Sequence, residues 1–297
     1  MIDFRPIELT DKERAQRYTL GSWRQNCDLS FANLYSWRFY YHTQIAEWRN
    51  FLLFRFQVDD CQLAYMMPIG DGSLKPVVEA MMEDARLQGA PFLMLGVCAG
   101  TRAELESEFP EQFEFRLDRD YFDYIYLRTD LATLRGKRFQ PKRNYVNRFK
   151  AAYPDYRYMP LTPALVQECL RLENDWRKTR DNGDEQMLQD ECRSMTAALQ
   201  HMDELDIQGG VLWVDGHIVA FTYGAPINAE TFDTCVEKAD AGVAGAYAMI
   251  NYEFANHVPS QFLYLNREED LGLEGLRKSK LSYQPFRLLE KYIVTLK

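Results

Sequence analysis

Histidine is scarce in this chain: four among 297 residues (42, 201, 217 and 257), none at a His-x-x-x-His spacing. A histidine-centred triad or metal site is therefore not expected. The six cysteines (27, 61, 98, 169, 192 and 235) include no close pair. Most lie in apolar or helical context, which predicts reduced core thiols rather than a disulfide framework. No apolar run approaches the ~18 residues of a membrane span. The opening Met-Ile-Asp-Phe-Arg-Pro lacks the basic and apolar regions of a secretion signal. These absences predict a cytoplasmic protein with no metal and no integral membrane association.

What is present is ordinary soluble composition, 46% hydrophobic and 27% charged, with a high aromatic content of 14% that promises a filled core with pockets. The net charge of −9 discourages nonspecific binding to nucleic acid. One segment runs against that average. Between Arg135 and Lys150 stand seven bases (Arg135, Lys137, Arg138, Lys142, Arg143, Arg148 and Lys150) and no acid. Two readings fit equally: a polyanion or phosphate contact, or a basic connector that pairs with acids elsewhere.

The two halves repeat one order of elements. Phe51 to Val58 and Cys61 to Ile69 pair around Asp59-Asp60, and Ser73 caps a helix to about Gln88 that Gly89 stops. Phe92–Val97 is a buried strand, Thr101–Glu108 a short helix and Tyr121–Leu127 an aromatic strand. In the second half, Val211–Val214 and His217–Ala225 flank Asp215-Gly216, a hairpin signal. Glu230–Glu237 gives a strand, about Val243 to His257 a helix, Phe262–Leu265 a strand, Leu273–Leu281 a short helix and Phe286–Thr295 a last strand. Thr162-Pro163 opens a helix before this second core, and another from Gln186 to Met202 follows a polar loop, Arg177 to Glu185. The division is placed in the basic connector, giving units 1–134 and 135–297. The N-terminal cluster of Trp23, Tyr35, Trp37, Tyr40 and Tyr41 reads as core or domain interface.

Residues Asn266 to Pro285 form the most informative stretch: acids at the front, bases at the back, Gly272 and Gly275 between, and Tyr283 near the end. Charges at the end of a buried strand sit where ligands bind in α/β folds; a solvated helix of mixed charge is the plain alternative.

Three segments carry a family resemblance. They are Gly136 to Phe149, the run Val236-Glu237-Lys238-Ala239-Asp240 leading to Gly245-Ala246-Tyr247 and Ile250 to Ala255, and Asn266 to Pro285. With the element order they resemble soluble tandem-GNAT proteins related to the C-terminal domain of bacterial phosphatidylglycerol lysyltransferases, across essentially the whole chain. The resemblance implies an α/β (α+β) fold of two GNAT-like domains with mixed sheets flanked by helices, the second carrying the site and the first a degenerate copy. It implies transfer of an acyl or aminoacyl unit to an amine or hydroxyl. An acyl-CoA-type donor (coenzyme A as cofactor) leads slightly over an aminoacyl-tRNA, with tRNA then a partner and a lipid or peptide the acceptor; a non-catalytic ligand-binding module is the third possibility.

GNAT proteins hold a donor pyrophosphate on a small-residue turn at a helix N-terminus, where free N–H groups and the helix dipole favour an anion. The matching stretch is Ala239 to Ala244, with Gly242 and Ala244 in place, Ala239 where a basic or amide residue belongs, and Asp240 as an unfavourable charge; Lys238 is one position off, and Gly245 and Tyr247 follow. Glu237, Glu268 and Asp270 are the candidate bases, and Tyr283 is the candidate acid or else a packed ring beside Pro285. Arg277 and Lys280, with Lys142 and Arg143, are candidate phosphate contacts, or partners of Glu268, Glu269 and Asp270. Asn144, Asn251 and Asn266 are candidate hydrogen-bond orienters.

Overall fold

The computed structural model describes residues 1–58, 62–178 and 185–297. The Asp59-Asp60 turn, Cys61 and most of the polar loop after Lys178 lie outside the described residues. The first half runs β1 (Arg5–Pro6), α1 (Lys12–Thr19), α2 (Phe31–Ser36), α3 (Arg38–Tyr41), β2 (Gln44–Trp48), β3 (Phe51–Val58), β4 (Gln62–Met66), β5 (Ile69–Gly70), α4 (Leu74–Leu87), β6 (Leu93–Val97), α5 (Ala99–Glu108), β7 (Phe113–Leu117) and β8 (Asp123–Leu127). The second runs α6 (Arg128–Thr133), α7 (Gln140–Ala152), β9 (Arg157–Pro160), α8 (Val166–Lys178), α9 (Glu185–Gln200), β10 (Gln208–Val214), β11 (His217–Pro226), β12 (Thr231–Ala239), α10 (Ala246–His257), β13 (Tyr264–Asn266), α11 (Glu274–Leu281), β14 (Arg287–Leu289) and β15 (Tyr292–Leu296).

Local signals work as physics requires. The Ser73 hydroxyl accepts the Lys75 N–H at the start of α4. Pro141 sits in the first turn of α7, where its missing N–H costs nothing. The basic run is thus mostly a helix. The last expected strand, Phe286–Thr295, is two strands, β14 and β15, that belong to different sheets.

Both sheets are mixed. The first has the order β1-β2-β3-β4-β6-β15-β7, with β5 on β3, and the second β14-β8-β13-β12-β11-β10-β9. Each has one parallel pair, β4 with β6 and β12 with β13, inside an otherwise antiparallel array. The halves also exchange strands. β15 lies between β6 and β7 in the first sheet, and β8 lies between β13 and β14 in the second. A boundary at 134/135 therefore crosses both sheets, each of which takes one strand from the far side of it. The largest apolar core is continuous across the halves, joining Leu52, Phe54 and Tyr35 to Leu199, Val211 and Phe221. Burying aromatic and aliphatic side chains on this scale, at roughly 1.5–3 kcal/mol each, binds the two sheets into one body.

Within the aromatic cluster expected to be core or interface, Tyr35 is buried, but Trp23 is 63% and Tyr40 48% exposed. Among the described cysteines none is in a disulfide; Cys27, Cys98 and Cys169 are buried and Cys192 and Cys235 half-buried.

Candidate transfer site at the gap between β12 and β13

β12 and β13 pair through three positions only, Thr231 with Tyr264, Phe232 with Leu265 and Asp233 with Asn266. Beyond Asp233 the sheet opens. A bulge on β12 controls what faces the opening: from Tyr223–Val236 to Ala225–Asp233, two residues of β11 advance against three of β12. Gly224 makes this possible, since a Cβ there would stand 1.7 Å from the Asp233 carbonyl oxygen. In a regular strand Asp233 and Glu237 would share a face. The bulge re-aims them: Asp233 meets Asn33 of α2 on one side, and Glu237 meets Asn251 of α10 on the other.

On the α10 side the groups are mainly donors. The Arg267 guanidinium is 2.9 Å from Glu237 Oε1, and the Asn251 amide donates to Glu237 Oε2 at 3.0 Å. Arg267 Nη1 and Asn251 Oδ1 are shut from solvent with no hydrogen-bond partner. The buried Tyr283 ring lies between two cations, with Lys142 Nζ 3.7 Å and Arg267 Cζ 4.7 Å from its centroid. Burial, then the neighbouring Arg267, brings the Lys142 ammonium down to about 8. Burial pushes the Tyr283 phenol up, with Glu237 adding to the shift, so the phenol stays neutral.

On the α2 side the groups are acids. Asn33 Nδ2 donates to Asp233 Oδ2 at 2.9 Å and to Glu268 Oε1 at 2.8 Å. Asp233 is fully buried, its Oδ1 has no partner, and the Cys235 thiol lies 3.6 Å from its Oδ2. Burial and the nearby Glu268 raise the Asp233 carboxyl well above the ordinary carboxylate range. Burial, then Glu269, raises half-buried Glu268 to about 8.

Glu268 is held by its backbone. It has φ 55°, a left-handed conformation that costs a non-glycine residue about 1 kcal/mol. The buried Lys280 ammonium donates to the carbonyls of Arg267 and Glu269 on either side of it. The Glu268 N–H donates to Asn266 Oδ1 at 2.7 Å, and the Asn266 amide donates to Asp123 Oδ2 at 2.8 Å and to the Gln25 carbonyl at 2.7 Å. Asp123 in turn takes the Lys291 ammonium at 2.8 Å, and Lys291 also reaches Asp28 at 3.0 Å and Glu269. Burial opposes the Lys291 charge, but Asp123 and Asp28 outweigh it and raise its pKa well above the ordinary value.

Several expected site residues are elsewhere or already occupied. Asp270 is buried under Arg277, which reaches both its oxygens at 2.9 and 2.7 Å, and it also takes Arg119 at 3.1 Å and the Tyr124 hydroxyl at 2.5 Å. Burial would raise its pKa, but the hydrogen bonds from Arg277 and Tyr124 outweigh that and hold it below the usual range, which unsuits it as a base. Arg277 is paired with Asp270 and Asp120, and Lys280 donates to the carbonyls of Arg267 and Glu269. Arg143 donates to the carbonyls of Leu134 and Gly136 and fastens the connector to the end of α6. Asn144 is exposed and accepts from Gln140 at 2.8 Å. Lys238 is buried on the α8 side, 3.4 Å from Glu173 and 2.9 Å from Glu191, with its ammonium over Trp176.

The expected phosphate turn is likewise filled. The Gly242 N–H donates to the Asp240 carboxylate at 2.8 Å, Ala244 precedes a helix that begins at Ala246, and Tyr247 accepts from Trp176 Nε1 at 2.8 Å. Gly245, at φ 88°, would put a Cβ 2.9 Å from the Tyr145 carbonyl, so it serves the close approach of α7.

Of the expected set, Glu237, Glu268, Tyr283, Lys142, Asn251 and Asn266 gather at the gap. Sequence reasoning passed over Asn33, Asp233, Cys235 and Arg267 as site residues. Asp233 had a signal, an acid inside the apolar strand Thr231 to Val236; Asn33, some 200 residues away, had none.

Residues 22–295 match the family described as phosphatidylglycerol lysyltransferase, C-terminal. The chain belongs to that family. A conserved protein of unknown function from Bacteroides thetaiotaomicron has a structure 55% identical to this chain, with TM-score 0.97 and complete coverage of both chains. The C-terminal domain of a putative lysylphosphatidylglycerol synthetase from Agrobacterium fabrum superposes with TM-score 0.68 at 14% identity, over 96% of this chain and 91% of that one. L-PGS from Bacillus licheniformis gives 0.66 at 15%, over the same shares. These last two likenesses speak for the fold. Among curated proteins, an uncharacterised protein of Mycoplasmoides gallisepticum is 22% identical over 173 residues, 58% of this chain and 55% of that protein, so the match spans little more than half of that relative. The fold is two mixed sheets flanked by helices, and the family's description is that of a lysyltransferase's C-terminal part. Among the described residues no helix is long and apolar enough to cross a membrane.

Proposed function

We propose that this chain moves an aminoacyl group from the 3′ end of a tRNA, entering on the α7–α10 side, to a nucleophile held on the α2 side of the gap. One observation carries the choice of donor. The turn that would hold a coenzyme A pyrophosphate already has its Gly242 N–H on the Asp240 carboxylate. The neighbouring connector and α7 meanwhile expose Arg135, Lys137 and Arg148, and α7 leads Lys142 to the gap. Exposed cations without a fixed phosphate cradle suit a long polyanion better than a compact diphosphate.

In this reading Glu268 takes the proton of the attacking group; a carboxyl near 8 is matched to that work at neutral pH. The negative charge that develops on the ester oxygen faces Arg267 Nη1, a buried donor with no hydrogen-bond partner, and the half-buried Lys142. Tyr283 supplies a neutral phenol toward the leaving ribose oxygen. Glu237 and Asn251 hold Arg267 in place, and Asn266 and Lys280 hold Glu268.

The test is binding of uncharged tRNA over a salt series, beside calorimetric titration of acetyl-CoA. The expected result is salt-sensitive tRNA binding that weakens in a Lys142→Ala variant. Submillimolar acetyl-CoA binding with no tRNA binding would move the donor to acyl-CoA, a reading that the opening of the parallel strand pair also favours.

A further inference from the structure

Two acids face one another on the α2 side with no cation between them. The ligand atoms of Asp233, Cys235 and Glu268 lie within 4.8 Å of one another. Among the described residues neither carboxylate is in an ion pair; their hydrogen-bond partners are the Asn33 amide and the Cys235 thiol. The charged neighbours are Glu269 and Asp123, which add negative charge, and Lys280, whose ammonium is held on backbone carbonyls. Elsewhere the chain pairs its buried acids: Asp84 has Arg55 and Asp123 has Lys291. An isolated buried carboxylate is costly, and the fully buried Asp233 Oδ1 has no donor at all. The missing component is a cationic donor.

We infer that the α2 side of the gap binds the acceptor, and that the acceptor is a primary amine. This rests on the transfer reading above and names the substrate class for the same site. An ammonium brings three donors and one positive charge, which fits Asp233 Oδ1, Glu268 and the Cys235 sulfur together. A phosphodiester or carboxylate at the same place would face two acids. The step balances with no further reactant. The bound ammonium gives one proton to Glu268, and the amine nitrogen attacks the ester carbonyl carbon. The new C–N bond forms as the C–O bond to the ribose breaks, and the second nitrogen proton leaves with the ribose hydroxyl. The product is an amide.

The experiment is isothermal titration of the full chain, without tRNA, against pentylamine, 1-pentanol, glycerol 3-phosphate and zinc chloride. Pentylamine is expected to bind one to one and 1-pentanol at least about tenfold more weakly, as charge-assisted hydrogen bonds require. Asp233→Asn and Glu268→Gln are each expected to weaken pentylamine about tenfold, while Arg86→Ala, exposed on α4 and paired only with Glu83, leaves it unchanged. Melting curves accompany each variant, and half-buried Glu268 gives a second route should the change at buried Asp233 unfold the chain. Equal binding of the alcohol, binding of glycerol 3-phosphate that depends on these two acids, or zinc occupying them with no amine bound would each overturn the inference. Because no tRNA is present, loss of the donor reading alone leaves this result intact.

Discussion

The two sheets have the same plan, four antiparallel strands, a parallel neighbour, a borrowed strand and an edge, and their parallel pairs are treated in opposite ways. At β4–β6 the nearby acid is Asp84, with the Arg55 guanidinium at 2.7 Å and the Tyr65 hydroxyl at 2.5 Å. The Met67 N–H reaches the Leu95 carbonyl, and the Asn26 amide reaches the Gly96 carbonyl at 3.0 Å, so the end of that pair is closed by hydrogen bonds. At β12–β13 the acid is Asp233, with an amide, a distant thiol and one oxygen unmatched, and across the gap Arg267 Nη1 and Asn251 Oδ1 are also unmatched. Groups satisfied internally stabilise; groups left waiting cost stability and bind. The first half has closed its gap, and the second has kept its gap open.

The largest effect that would break this contrast is at Arg267. Arg267→Met removes the guanidinium from the gap and leaves Glu237 without its cation; transfer from charged tRNA, followed in single turnover, should fall about 10³-fold. Next comes the paired test of the acids. Asp84→Asn strands Arg55 and should cost about 3 kcal/mol in urea unfolding, whereas Asp233→Asn, which breaks no ion pair among the described residues, should stay within about 1 kcal/mol. Equal losses would show that the two gaps are alike. Glu268→Gln should lower transfer about 10²-fold with tRNA binding unchanged.

The pH profile sharpens the same point. A base near 8 must lose its proton to act, so the rate rises as pH increases through about 8, and Lys142, also near 8, loses its charge over the same range. A bell is expected, with Glu268→Gln flattening the acid limb and Lys142→Met the alkaline limb. For stability the sign is reversed at Glu268. Its folded pKa is raised, so its contribution is complete below the ordinary glutamate value near 4.5 and is lost as pH rises through about 8. Glu268→Gln should remove that loss. The smallest effect is on salt: Lys142→Met should lower the slope of tRNA affinity against salt by about 1.

Much of the fold was legible because period, turns and caps are local. Asp215-Gly216 does mark the β10–β11 turn, and Leu273 to Leu281 holds a short helix. The site was legible only in part. Glu268 and Tyr283 stood out in an odd run of charge, and they lie on opposite sides of the gap, Glu268 with Asn33 and Tyr283 with Lys142 and Arg267. Asp270, Arg277 and Lys280 shared that run, yet they build the frame, because charges close in sequence can pair with each other as readily as with a ligand. Lys238 and Glu237 are adjacent and face opposite helices, as strand alternation demands. Asp233 parts from Glu237 only through a bulge that no pattern of residues announced. The partners of Glu268 come from α2, and contacts across so long a separation leave no trace in spacing.

The strand exchange has a consequence for the molecule as an object to be made or broken. β15 (Tyr292–Leu296) closes the first sheet and β8 (Asp123–Leu127) the second, each from the other half of the sequence. When the first 130 residues have been made, the first sheet still lacks an inner strand, and it shuts only once Tyr292–Leu296 is present. The chain is a clasp whose two hooks engage together. A truncation ahead of Tyr292 removes no loose tail; it takes an inner strand from the half it was never written beside.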